Sequence, residues 1–266
     1  MVTHLPSRMF RLGTTSFIFP DRIIPNVKKL GPVFDEIELL VFESIPEQVL
    51  PSADEIRTLA AYKERFDLTF NVHLPLDISL TDPAAGKRKA ASDTIINIMD
   101  LCSSLTPSTY TLHLDFHGSE KTPAAIDHFR QTASESLYHL TRSMADPGIV
   151  SVETLDYPFS FAAPLVREYS LSVCADIGHL VKYGYSVRDF FEQWRRYITI
   201  VHLHGVDFSA NPPKDHVSPD RLPDHAAQEI MEVLSHFTGV LSLEVFNREH
   251  LDASLKFLSR YFLQET

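Results

Sequence analysis

Short apolar runs in this chain end, one after another, on side chains that ligate metals or move protons. FNVHLP carries His73, TLHLDFH carries His113, and VSVETL carries Glu153. SVCADIGH carries Asp176 and His179, IVHLHG carries His202, and LSLEVF carries Glu244. Taken singly, a His in an apolar strand is an ordinary satisfied core residue. A carboxylate there is as readily one half of a barrel-end ion pair, since a buried charge needs a partner. Six such positions on successive runs point instead to a shared site. Carboxylates and imidazoles gathered at one mouth would repel one another or lose hydration unless a cation held them. The pattern therefore predicts a polynuclear metal site.

The elements that must position these residues alternate. Strands are predicted at MFRLGTTS, FDEIELLVF, DLTFNVHLP, YTLHLDF, IVSVET, LSVCADI, ITIVHLHGV and VLSLEVF. In the second, alternation puts Ile37, Leu39 and Val41 on one face and Glu36, Glu38, Leu40 and Phe42 on the other. Helical spacing follows each strand. Ser52 and Glu55 form a capping box, Thr122-Pro123 opens another helix, and the helix after the sixth strand opens at Ser186. A Pro-rich loop, NPPKDHVSPDRLPDH, follows the seventh strand. Eight strands alternating with helices are the rhythm of a parallel (β/α)8 TIM barrel, whose strand C-termini share one mouth. The 266 residues, 44% of them apolar, suit a single TIM-barrel domain spanning residues 1–266, with no Gly/Ser/Pro-rich linker to divide it.

Net charge is −11, and the basic clusters are confined to Lys87–Lys89 and Arg195–Arg196. A basic stripe for duplex DNA is absent, so a small-molecule substrate is expected and nucleic acid is not. Cys102 and Cys174 sit in apolar surroundings and read as core filling in a reducing compartment. The N-terminus has no apolar targeting core and no run is long enough to span a bilayer, so a cytoplasmic protein is expected. No GxSxG elbow, GxGxxG or phosphate-cradling loop occurs.

Three smaller constellations complete the reading. Asp176-x-x-His179 is a compact pair just past the sixth strand. His202-Leu-His204 puts two imidazoles on one strand face, with His202 the better ligand and His204 an outer partner. Asp215-His216 lies in the loop after the seventh strand, where a solvated loop pair is the ordinary alternative. His117, Asp115 and Asp207 lie near the mouth without an assigned task.

The set His73, His113, Glu153, Asp176, His179, His202, Asp215, His216 and Glu244 resembles the metal set of the AP endonuclease 2/xylose-isomerase-like barrel superfamily. The likeness covers essentially the whole chain. In its endonuclease IV branch three ions are bound. By that resemblance His73, His113 and Glu153 hold the first, and Glu153 bridges to a second held by Asp176, His202 and Glu244. His179, Asp215 and His216 hold the third. One departure stands out: that branch has Asp-x-His after the seventh strand, where this chain has Asp215 and His216 adjacent. The opening RLGTTSFIFPDRIIPNVKKLGPVFDEIELLVFES, with VHLHGV and KDHVS, is similar to cobamide-remodelling phosphodiesterases, which cut the nucleotide loop of cobamides. The resemblance implies a phosphodiesterase using two or three divalent ions, Zn²⁺ or Mn²⁺, with Glu153 and Glu244 as its catalytic carboxylates. Phe17, Phe19, Tyr183 and Tyr185 are then expected to line a corrin pocket. A sugar isomerase or epimerase would need one ion only, with Glu153 and Glu244 moving protons. A DNA-repair endonuclease would share the metals but should carry basic surface. A non-enzymatic barrel would saturate its metal and leave no position for water.

Overall fold

In the computed structural model, which describes residues 8–42 and 50–262, eight parallel strands close into a barrel. Strands β1 (Arg11–Thr15), β2 (Glu36–Leu40), β3 (Thr69–His73), β4 (Tyr110–Leu112), β5 (Val150–Glu153), β6 (Ser172–Asp176) and β7 (Ile198–Leu203) lie side by side in chain order. The chain then leaves the barrel as an antiparallel hairpin, β8 (Gly205–Asp207) with β9 (Lys214–Val217). It returns as β10 (Val240–Leu243), which pairs with β7 and β1 and closes the cylinder.

The connecting helices are α1 (Ile23–Leu30), α2 (Ala53–Phe66), α3 (Ala85–Cys102), α4 (Pro123–Thr141), α5 (Ala163–Glu168), α6 (Ile177–Lys182), α7 (Val187–Trp194), α8 (Asp224–Leu234) and α9 (Arg248–Phe262). Their starts follow local chemistry. Ser52 and Glu55 form the capping box of α2, Thr122 caps α4 ahead of Pro123, and Ser186 caps α7. Buried Leu59, Ile95, Leu137, Ile230 and Leu258 are part of one continuous apolar core shared by strands and helices.

Two features differ from the expectation. A short helix, α6, begins directly at the end of β6, ahead of the helix that Ser186 opens. Six residues are too few to register as periodicity, but Asp176 caps it, accepting the His179 amide at 2.7 Å. The predicted seventh strand also divides, β7 ending at Leu203 and β8 pairing with β9 in the Pro-rich loop, which brings residues 214–217 back against the mouth.

Inside the barrel the side chains form polar layers. Glu36 accepts hydrogen bonds from Asn71 (2.8 Å) and Ser108 (2.6 Å). Glu38 accepts one from Ser242 of β10 and lies 3.1 Å from Nε2 of His202 on β7. Cys102 and Cys174 are both free and buried. Among the described residues no helix is long and apolar enough to cross a membrane.

Candidate metal centre

The barrel closure brings the strand-end residues together at its C-terminal mouth. His73, Glu153 and Asp176 are the last residues of β3, β5 and β6, His202 lies in β7, and His113 and Glu244 directly follow β4 and β10. The register sets both Asp176 of β6 and Ser242 of β10 beside His202. Glu153, almost fully buried, is the hub. Its Oε2 lies 3.1 Å from His73 Nε2 and 2.8 Å from His113 Nε2, and its Oε1 lies 3.6 Å from His202 Nδ1. His202 Nδ1 is also 3.3 Å from Glu244 Oε2. Two ligand groups result, His73–His113–Glu153 and Glu153–Asp176–His202–Glu244, with the donor atoms of each within 4.8 Å of one another. Glu153 belongs to both, one oxygen turned to each.

The imidazoles are oriented for ligation. Nδ1 of His73 lies 2.9 Å from the Leu74 carbonyl, that of His179 3.0 Å from Thr154, and that of His216 3.2 Å from Glu244. A carbonyl only accepts, so each Nδ1 carries a proton, and once the ring is neutral the lone pair that a cation needs is on Nε2. His202 is turned the other way. Its Nε2 faces Glu38 and its Nδ1 faces the ligand carboxylates.

His179 and His216 form a third group with His204. Asp215 is not part of it: its carboxylate is paired with Lys182 of α6. That pairing directs Asp215 to α6, while His216 faces the Glu244 carbonyl at the mouth. The described geometry thus substitutes His204 for Asp215 in this group. Glu38 is the residue that sequence reasoning left without a role. It is fully buried and lies within ligand distance of both His73 and His202. The alternation in β2 sets it on the face opposite Ile37 and Leu39, and the barrel turns that face inward, toward Ser242 and His202. Of the residues near the mouth, His117 bonds Ser79 of the loop after β3 at 2.9 Å, and Asp207 receives bonds from Ser209 in its own turn.

The residues fit a bound cation. Asp176 Oδ2, Glu244 Oε2, His202 Nδ1 and His204 Nε2 are buried without a hydrogen-bond partner, an arrangement that is costly unless something pairs them. Mixed imidazole and carboxylate donors suit Zn²⁺ or Mn²⁺. Charge has accumulated to match. Burial would push the Glu153 carboxyl up, but the imidazoles of His113 and His202 outweigh it and hold it well below the ordinary range. Burial likewise opposes charge on His73 and His204, yet Glu153 lifts the first and Asp176 the second, each to about 9.

Beside the centre opens a cavity of about 1060 Å³ whose floor includes His73 and Glu244. Its walls are mainly apolar, with Phe17, Phe19, Leu40, Phe42, Leu76 and Phe246, and Asp21, Arg22 and Asn247 add polar groups. Tyr183 instead lies over His179, with ring centroids 6.2 Å apart, and Tyr185 lines a separate cleft against α7.

The sequence model of a family described as xylose isomerase-like TIM barrel matches residues 24–261. No curated protein matches the chain by sequence. Among solved structures, a D-tagatose 3-epimerase-like protein superimposes with a TM-score of 0.75 at 18% identity, covering 95% of this chain and 97% of its own. A 3-keto-D-glucoside 4-epimerase from E. coli gives 0.69 at 15% identity, covering 95% and 98%. Endonuclease IV from Thermus thermophilus gives 0.68 at 15% identity, covering 94% and 99%. At these identities the likeness is one of fold.

Proposed function

The chain belongs to the xylose isomerase-like TIM barrel family, and from that premise we propose that it is a metal-dependent phosphodiesterase that cleaves the nucleotide loop of cobamides. The observation that carries the reading is Glu153, whose two oxygens serve two ligand groups with a third group of imidazoles alongside. That supply exceeds what a one-ion reaction uses. It suits in-line attack on a phosphodiester, where charge develops on both the attacking and the leaving oxygen. Divalent ions at such a centre supply hydroxide near neutral pH and electrostatic stabilisation of the phosphoryl oxygens.

The chain's own residues do the rest. Glu153 holds the first two groups in fixed relation. His73 and His113 approach one of its oxygens, and His202 approaches the other. Glu244 sits where the centre meets the cavity, so it is placed to reach both the ligand group and a substrate in the cavity. The aromatic walls fit a broad apolar ring system such as a corrin, with the phosphodiester directed to the floor. The acidic net charge of −11 disfavours a DNA substrate.

A one-ion sugar epimerase is the second reading. Glu153, Asp176, His202 and Glu244 form a complete four-residue group by themselves, and epimerases are among the similar structures. It leaves His113, His179 and His216 without a task and the apolar cavity without an occupant. Incubating metal-reconstituted protein with an intact cobamide and with ketoses separates the two. The proposal expects a corrinoid product lacking its lower-ligand base, and epimerised sugar with unaltered cobamide would replace it by the second reading.

A further inference from the structure

We propose that His179, His204 and His216 form a separate, all-imidazole site for one divalent ion of the zinc and cobalt class, with His204 as a direct ligand. This rests on the reading that the mouth binds metal, but not on which substrate is cut. Four observations converge. The donor nitrogens of the three rings lie within 4.8 Å of one another. His204 Nε2 is fully buried with no hydrogen-bond partner. Its ring rests on Gly178, where an added Cβ would come within 2.0 Å of Cε1 and 2.4 Å of Nε2. Gly178 has no side chain, and the His204 ring occupies the space one would need. His216, finally, adopts a left-handed backbone (φ 52°), which is rare for a residue with a side chain and clusters at functional sites.

The proton positions agree. His204 Nδ1 lies 3.0 Å from the Gly205 carbonyl, the same arrangement seen at His73, His179 and His216, which places the lone pair of the neutral ring on Nε2. The His216 amide also approaches Nδ1, at 3.1 Å. That contact belongs to the opposite tautomer, in which Nε2–H would reach Asp176 Oδ1 at 3.2 Å and His204 would only steady Asp176. Against it, Nδ1 lies nearer the Gly205 carbonyl than the His216 amide, and a carbonyl can only accept. Without His204, moreover, His179 and His216 would be left as a pair, because Lys182 engages Asp215. Three neutral nitrogen donors favour zinc-like ions over Mg²⁺ or Mn²⁺, and three protein ligands leave a fourth, tetrahedral position open. His179 and His216 are partly exposed, with side chains 14% and 27% accessible, so that position faces the mouth. The mixed group around Glu153 suits Zn²⁺ or Mn²⁺ alike.

The test is a Co²⁺ titration of chelator-stripped protein in a Glu153→Gln background, where the carboxylate groups are crippled. The expected result is one equivalent of Co²⁺ with the intense visible bands of four-coordinate cobalt. Adding Asp215→Asn should leave bands and affinity unchanged. Adding His204→Asn should abolish the bands and weaken binding beyond the roughly 10–100-fold that losing an outer partner costs. Bands that survive His204→Asn, bands lost on Asp215→Asn, or no bound Co²⁺ would each overturn the proposal. If His204→Asn fails to fold by circular dichroism, the Asp215→Asn arm decides alone. Cobamide cleavage by the parent protein is scored separately. Bands without cleavage leave the site and remove the function, and cleavage without bands does the reverse.

Discussion

Glu38→Gln should weaken metal binding while sparing the fold. Glu38 is fully buried, accepts from Ser242, and lies 3.1 Å from His202 Nε2, while His202 Nδ1 faces Glu153 and Glu244. A carboxylate behind a ligating imidazole fixes its tautomer and raises its basicity, and losing such a partner costs about 10–100-fold in metal affinity. At roughly 1.4 kcal/mol per tenfold step, the expected loss is about 1.4–2.7 kcal/mol. Gln should sit at the lower end, since its carbonyl can still accept from the ring. Ala should sit at the upper end, since it removes charge and orientation together. The metal-free fold should tolerate Gln well, because the substitution removes one member of a buried ion pair whose net contribution is small once both charges can be neutral. The assay is competition against a chromophoric chelator, with thermal unfolding as the control for folding. Parent affinity in both folded variants would refute the positioning role.

Glu153→Gln should abolish turnover and lower metal content by more than one equivalent, because one carboxylate serves two ligand groups; elemental analysis against the parent checks this. Metal binding should release protons near neutral pH. His73 and His204 are raised to about 9 in the metal-free protein and must be neutral to ligate, so apparent affinity should rise about tenfold per pH unit for each proton displaced, levelling off above 9. In the metal-free protein the sign is opposite: the stabilisation those raised values represent is fully present below about 6.5 and is lost as pH rises through about 9, which pH-dependent melting will show. Phe246→Ala, on the exposed wall of the cavity, should raise KM for a corrinoid substrate roughly tenfold with kcat little changed, a loss of about 1–1.5 kcal/mol of apolar contact.

Much of the centre was legible because barrel geometry turns strand ends into a site. His73, Glu153, Asp176 and His202 sit at the C-terminal ends of their strands, and His113 and Glu244 one residue beyond. Glu38 was overlooked although the alternation in EIELL put it opposite Ile37 and Leu39; it lies two residues short of the strand end, one layer deeper than the mouth. Asp215 and His216 read as a pair because they are adjacent, yet Lys182 of α6 engages the Asp215 carboxylate. The hairpin that makes 214–217 a strand is closed by tertiary pairing with β8, which local propensity does not announce. Helix α6 was hidden by its length, although Asp176 three residues before His179 is an N-cap spacing as well as a ligand spacing. Gly178 carried no signal until His204 was seen lying on it.

The most direct test of a multi-ion phosphodiesterase is to follow an intact cobamide by liquid chromatography and mass spectrometry with metal-reconstituted protein, alongside Glu153→Gln. The account predicts a corrinoid product without its lower-ligand base, formed by the parent and not by the variant, from protein carrying more than one equivalent of metal. Unaltered cobamide from protein holding a single ion, with a ketose epimerised in the same preparation, would contradict it.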